Sequence, residues 1–251
     1  MSNHGLQMPE GVHVEEVSDS EGQFVMGPLE RGYGVTIGNA LRRVLLSSLR
    51  GLAITAVKID GVQHEFSTIP GVTEDVADLI LNLKEVRFKA DEMQEGHLHL
   101  NLEGPGNWTA ADIDEATAEY DVLNPDQHVA TLAEDAVVNV DLRVGYGRGY
   151  VPSEENKRED DPIGVIAIDS IFTPIKNVNY EVKPTRVGQK IDYEELLLDV
   201  ETDGSLTPEE AITQGASILR DHVSFFIQLE EEPEPVVEEQ EVDEEVKRIR
   251  E

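Results

Sequence analysis

The chain has 251 residues, 39% of them hydrophobic, and 52 acidic against 20 basic side chains give it a formal net charge of −32. With no cysteine, a disulfide framework, a thiolate nucleophile and a cysteine-ligated zinc are excluded, and no apolar run approaches the ~18 residues of a membrane span. So acidic a surface repels phosphate, so sequence-neutral binding of nucleic acid by the bulk of the chain is not expected.

From Glu230 to Glu251 there are eleven acids and three bases, a net of −8, which leaves −24 for the body. High internal salt, in which acidic surfaces stay hydrated, is one reading of that surplus; an ordinary acidic protein is the other. The N-terminus lacks the basic-then-apolar order of a signal peptide, and a cytoplasmic protein is expected.

In chain order, Val12 to Leu29 reads as two short strands, VHVEEV and QFVMGPL, split by the turn-like SDSEG. Asn39 to Leu49 reads as a helix and Leu52 to Asp60 as a strand. Thr73 to Leu83 is a second helix, capped by Thr73, with Val76, Leu79, Ile80 and Leu83 as its apolar stripe. His97 to Glu103 and Val137 to Val144 alternate as half-buried strands, with an acidic, turn-rich stretch between them. Gly145 to Asp161 reads as a loop. Ile163 to Asp169, Val178 to Val182 and Glu195 to Val200 are further strands. Thr207-Pro208-Glu209-Glu210 is a capping box with proline at the first helical position, and its helix is expected to run to about Leu229. The acidic segment after it is expected to be a flexible tail. Strands in the middle and helices toward both ends define an α+β protein, not a regular βαβ alternation.

Four features invite a functional reading. Gly32, Gly34 and Gly38 form G-x-G-x-x-x-G, one residue too long for the dinucleotide fingerprint and not preceded by a buried parallel strand, so a tight entry into the helix is the simpler account. Asp199, Glu201, Asp203, Gly204, Leu206 and Glu210 match the positions of a calcium-binding loop, against which stand a glutamate where aspartate or asparagine is usual, a strand-like lead-in and the lack of a second copy. His97 and His99 share one face of a strand, but no third metal ligand follows from spacing.

The fourth is the helix of LERGYGVTIGNALRRVLLSSLRG. Leu41, Val44, Leu45 and Leu49 form its apolar stripe, while Arg43 and Leu46 lie off it. An apolar residue beside charge on a second face suggests a second packing partner, and an arginine on an acidic body can pair bidentately with a partner's carboxylate. The last helix has a similar surplus. Ile212, Ala216, Leu219, Val223 and Phe226 form a heptad-like seam, and Gly215 sits inside the helix at a cost of about 1 kcal/mol relative to alanine. Self-association through these helices is expected. No nucleophile–base pair stands out, and neither cofactor nor metal is expected.

LERGYGVTIGNALRRVLLSSLRG, IDGVQHEFSTIPGVTEDVADLILNLK, GRGYVP and DGSLTPEEAITQGASIL resemble the N-terminal assembly region of bacterial RNA polymerase alpha subunits, over about residues 10 to 229. The resemblance implies a discontinuous dimerisation domain, residues 1–50 plus 172–229, made of antiparallel sheet and two packed helices. A mainly-β domain, 51–171, is inserted in it, and 230–251 form an acidic linker. It implies a non-catalytic homodimer that gathers the beta and beta-prime subunits, with nucleotidyltransferase activity belonging to the whole complex. Arg43 and Leu46 match beta-docking positions; Lys84 and Ile168 fall on the beta-prime side. Leu41, Val44, Leu45, Ile212, Gly215, Ala216, Leu219, Val223 and Phe226 would form the dimer interface. Family members continue past the linker into a DNA-binding domain, so direct DNA binding is not expected of the region present here.

Overall fold

Residues 6–188 and 190–227 are described by a computed structural model of the chain. It begins with strands β1 (Gly11–Val17) and β2 (Glu21–Glu30), helix α1 (Tyr33–Ser48) and β3 (Arg50–Ile59). Then come α2 (Val76–Lys84), β4 (Phe88–Lys89), β5 (Gly96–Glu103), β6 (Gly106–Thr109), α3 (Ala110–Glu115), β7 (Asp121–Val122) and β8 (His128–Leu132). The long β9 (Val137–Arg148) precedes β10 (Tyr150–Val151), α4 (Ser153–Asn156), β11 (Val165–Ala167) and β12 (Ser170–Ile171). Two long strands, β13 (Ile175–Val187) and β14 (Lys190–Thr202), and helix α5 (Pro208–Ile227) follow. The protein is α+β, mostly strand.

Two antiparallel four-stranded sheets organise it, one in the order β1-β2-β14-β13 and the other β11-β3-β9-β5. Each builds its own core. The first sheet joins α1 and α5 around Phe24, Leu45, Leu49, Val178, Leu198, Val200 and Ala211. The second packs α2, α3 and the short strands around Val57, Leu79, Leu83, Trp108, Ile113, Leu142 and Ile168. Alternation explains the second sheet: Leu98, Leu100 and Leu102 of β5 pair with Leu142, Val140 and Val138 of β9, and all six are buried. By backbone contacts, the described residues up to Leu219 form one compact unit and those from Arg220 another.

The predicted strands and helices are found, with shifted limits. α1 starts at Tyr33, six residues before the expected Asn39, and takes Gly34 and Gly38 into the helix. α2 is capped by Asp75, whose carboxylate accepts the Asp78 N–H at 2.8 Å, and not by Thr73. The Thr73 N–H instead donates to the Thr131 carbonyl. The stretch read as a loop from Gly145 holds the end of β9, β10 and α4, and the acidic stretch before β9 holds β6, α3, β7 and β8. The capping box is present: Thr207 N–H donates to Glu210 Oε2 at 2.9 Å and Glu210 N–H to Thr207 Oγ1 at 3.3 Å. The proposed helix end near Leu229 and the acidic tail lie outside the described residues.

Candidate docking faces

The glycines before the two arginines serve packing. Gly32, at φ 91°, turns the chain into α1 without a side-chain cap of its own. Glu194, on β14, supplies the missing acceptor. Its Oε2 takes the N–H of Gly32 at 2.9 Å and of Gly34 at 3.2 Å, placing a negative charge at the positive end of the helix. Gly34 and Gly38, one turn apart, lie against the sheet. A Cβ on Gly34 would come within 2.9 Å of Val182, and one on Gly38 within 2.7 Å of Tyr180 and 2.9 Å of Leu196. The G-x-G-x-x-x-G run is therefore a close helix–sheet contact.

That contact orients the rest of α1. Leu45 and Leu49 are buried and Leu41 packs at the edge of the same core. Arg42 and Arg43 face solvent, and so does Leu46, 37% exposed. Among the described residues neither arginine has an ion-pair partner. The Arg43 carbonyl accepts the Ser47 hydroxyl at 2.8 Å, and the guanidinium is left to project from an apolar-edged helix.

Lys84 ends α2, where a cation complements the helix dipole. Its Nζ donates to Asp169 Oδ2 at 2.7 Å, and the Tyr150 hydroxyl donates to the same oxygen at 3.3 Å. Burial pushes the Asp169 carboxyl up, but the hydrogen bond and charge of Lys84 outweigh it and hold it below the usual aspartate value. The pair lies in an open groove of about 780 Å³ with Ile80, the exposed Leu81 and the 92% exposed Ile163 among its walls. Ile168 is only 1% exposed. It is a core side chain under this face and offers a partner almost no side-chain surface, while the next residue, Asp169, turns outward to Lys84. Asp169 was not anticipated; 85 residues separate it from Lys84, and no local pattern signals such a pairing.

The residues expected to form a dimer interface divide into two groups. Leu45 and Gly215 are buried within one chain: a Cβ on Gly215 would stand 2.9 Å from Leu45 Cδ2, so the helix glycine makes room for α1 of its own chain. Leu41 and Ile212 border the same core. Val44 and Leu219 are half-buried, Ala216 is exposed, and Val223 and the 74% exposed Phe226 remain uncovered.

The calcium reading finds no support. Asp199 accepts from Gln23 Nε2 at 2.6 Å, Asp203 from the Ser205 N–H and hydroxyl at 2.9 and 2.6 Å, and Glu210 caps α5. Asp199 and Glu201 belong to strand β14 and not to a loop. Among the described residues no group of three or more histidines, aspartates or glutamates is arranged to hold a metal. His97 and His99 stand on the solvent face of β5, His99 Nδ1 lying 2.7 Å from Asp141. Among the described residues no helix is long and apolar enough to cross a membrane.

Residues 57–173 match the RNA polymerase Rpb3/RpoA insert domain, which defines the class of subunit. Whole-chain comparison narrows it. The chain is 56% identical over 237 residues to the DNA-directed RNA polymerase subunit alpha of Prosthecochloris aestuarii, covering 94% of this chain and 72% of that one. It is 54% identical over 249 residues to that of Chloroherpeton thalassium and 53% identical over 249 to that of Chlorobaculum tepidum, covering 98% of this chain and 76% of theirs in both cases. The chain belongs to the family of DNA-directed RNA polymerase alpha subunits, and its role lies in transcription.

Proposed function

We propose that the chain is a non-catalytic, homodimeric scaffold of the polymerase that docks the beta subunit through Arg43 and Leu46 and the beta-prime subunit through Lys84, which Ile168 supports from beneath. The dimer is made by a discontinuous domain, residues 1–50 and 172–229, and 51–171 are an insert. Two separate hydrophobic cores favour this division: one draws on residues between Leu52 and Ile168, the other on Phe24 to Leu49 and Ile175 to Ala211. The work is done in the cytoplasm, without a cofactor or direct DNA contact by these residues.

One observation carries the docking reading. The inner face of α1 is consumed by its own sheet and by α5, yet its outer face presents Arg43 and Leu46 side by side to solvent. A guanidinium without an ion-pair partner among the described residues, next to a leucine and on a chain of net charge −32, is suited to a partner offering a carboxylate or carbonyl beside an apolar surface.

Co-purification with tagged beta tests it. Arg43→Ala should leave the chain folded and dimeric while weakening beta binding by about 2–5 kcal/mol, the usual cost of truncating one member of a buried charged pair. Arg43→Lys should restore only part, because lysine keeps the charge and loses the fork. Arg42→Ala, about 100° around the helix, is the control. Undiminished recovery of beta with Arg43→Ala would overturn the assignment.

A further inference from the structure

Arg143 lies on β9, on the sheet face opposite the main core, at a position where strand alternation predicts a solvated charge. It is 6% exposed. Each nitrogen of its guanidinium is engaged: Nε donates to Thr55 Oγ1 on β3 at 3.2 Å, one terminal nitrogen to Asp161 Oδ1 at 2.6 Å, and the other to the Asn156 carbonyl at 2.7 Å. Asp161 in turn accepts the Arg158 N–H at 2.9 Å, and the Arg158 side chain pairs with Glu95. Asn156, held through its carbonyl, passes the constraint on. Its side-chain amide donates to the Ile168 carbonyl at 2.6 Å and the Ser170 hydroxyl at 3.0 Å, and Ser170 donates to the Ile54 carbonyl at 2.8 Å. Ile168 and Ser170 flank Asp169, the partner of Lys84.

We infer that Arg143 is a positioning residue for the Lys84–Asp169 face: through Asn156 and Asp161 it pins residues 153–161 to the sheet and so fixes the backbone on both sides of Asp169. Residues 153–161, SEENKREDD, contain no apolar residue, so hydrophobic packing cannot hold them in place. A buried, planar donor with several simultaneous acceptors does so with direction as well as energy. The inference rests on the proposed use of Lys84 toward beta-prime.

The test uses the full chain assembled with beta and beta-prime. Arg143→Met keeps the bulk of the side chain and removes every donor. Amide exchange across residues 153–170 should speed up, and beta-prime binding should fall about tenfold, the equivalent of roughly 1.4 kcal/mol, while beta binding and dimerisation stay at parental levels. Arg143→Lys should recover part of both effects. Asn156→Ala, which keeps the Arg143–Asp161 ion pair, guards against a general loss of folding and should show the same selective loss of beta-prime. Unchanged exchange over 153–170 in both Arg143→Met and Asn156→Ala, or equal losses of beta and beta-prime, would overturn the inference. Lys84→Ala separates the two readings. If it leaves beta-prime binding intact, the docking assignment fails by itself, and Arg143 is then no positioning residue for that face even where exchange responds. If Lys84→Ala weakens beta-prime but faster exchange in Arg143→Met does not, the docking assignment stands and the inference falls.

Discussion

Lys84 Nζ and Asp169 Oδ2 lie 2.7 Å apart, joining the end of α2 to the turn after β11, both side chains partly buried. The carboxyl of Asp169 is depressed below its ordinary value: burial alone would raise it, and the hydrogen bond and charge of Lys84 reverse the sign. A depressed folded-state value means that the pair's stability is present above the unfolded pKa of about 3.9 and is lost as pH falls through the folded value. Asp169→Asn should therefore cost about 1 kcal/mol at neutral pH and nothing once the parent carboxylate is also protonated. Urea unfolding of both proteins from pH 7 down to below about pH 3.9 measures this: the gap should hold above the unfolded value and narrow progressively below it, and a gap that does not change with pH would show that the charge is not the source.

Gly38 sets two effects against each other. Alanine in a helix interior is favoured over glycine by about 1 kcal/mol, so Gly38→Ala would stabilise an exposed helix. Here the new Cβ meets Tyr180 at 2.7 Å and Leu196 at 2.9 Å, and Leu196 is buried. Overpacking costs about 1–3 kcal/mol, so a net loss of about 1 kcal/mol is expected, read as a lower melting temperature. A higher one would mean that α1 can lift from the sheet without penalty.

Ala216 and Gly215 are neighbours with different exposures, and that difference separates folding from association. Gly215→Val pushes a branched side chain at Leu45, which has no room, and should destabilise the chain itself by about 1–3 kcal/mol. Ala216→Glu and Phe226→Glu alter exposed positions. They should leave circular dichroism and unfolding of the protomer unchanged while placing an unpaired charge in the proposed interface. Sedimentation should then report monomer; a dimer that survives both substitutions would remove this face of α5 from the interface.

The acid surplus predicts a response to salt. Self-repulsion at a net charge of −32 is screened over about 3 Å at 1 M ionic strength against about 10 Å at 0.1 M. The melting temperature should rise by several degrees between about 0.1 M and about 2 M potassium chloride. A flat profile would leave the acidity an ordinary surface property.

Local chemistry determined much of what the chain showed before its structure was known. The alternation of HLHLNLE and VVNVDLRV specified two half-buried strands, and they pair with each other. The Thr207 to Glu210 capping box specified where α5 begins, because both of its hydrogen bonds close within three residues. The stripe of Leu41, Leu45 and Leu49 identified the inner face of α1. Propensity and periodicity act over a few residues, and these features need nothing further away.

The tertiary structure decided what depends on distant partners. Glu194 caps α1 from a strand more than 150 residues later, so the helix starts six residues before any local signal marks it. Gly215 has no local signal that names its neighbour, and the fold sets Leu45 of α1 against it. Arg143, an outward position by alternation, is buried because residues 153–161 fold over it. Ile168 faces the core and Asp169 faces Lys84. In each case the energy comes from desolvation and from contacts between segments remote in sequence, and both exist only once those segments have come together.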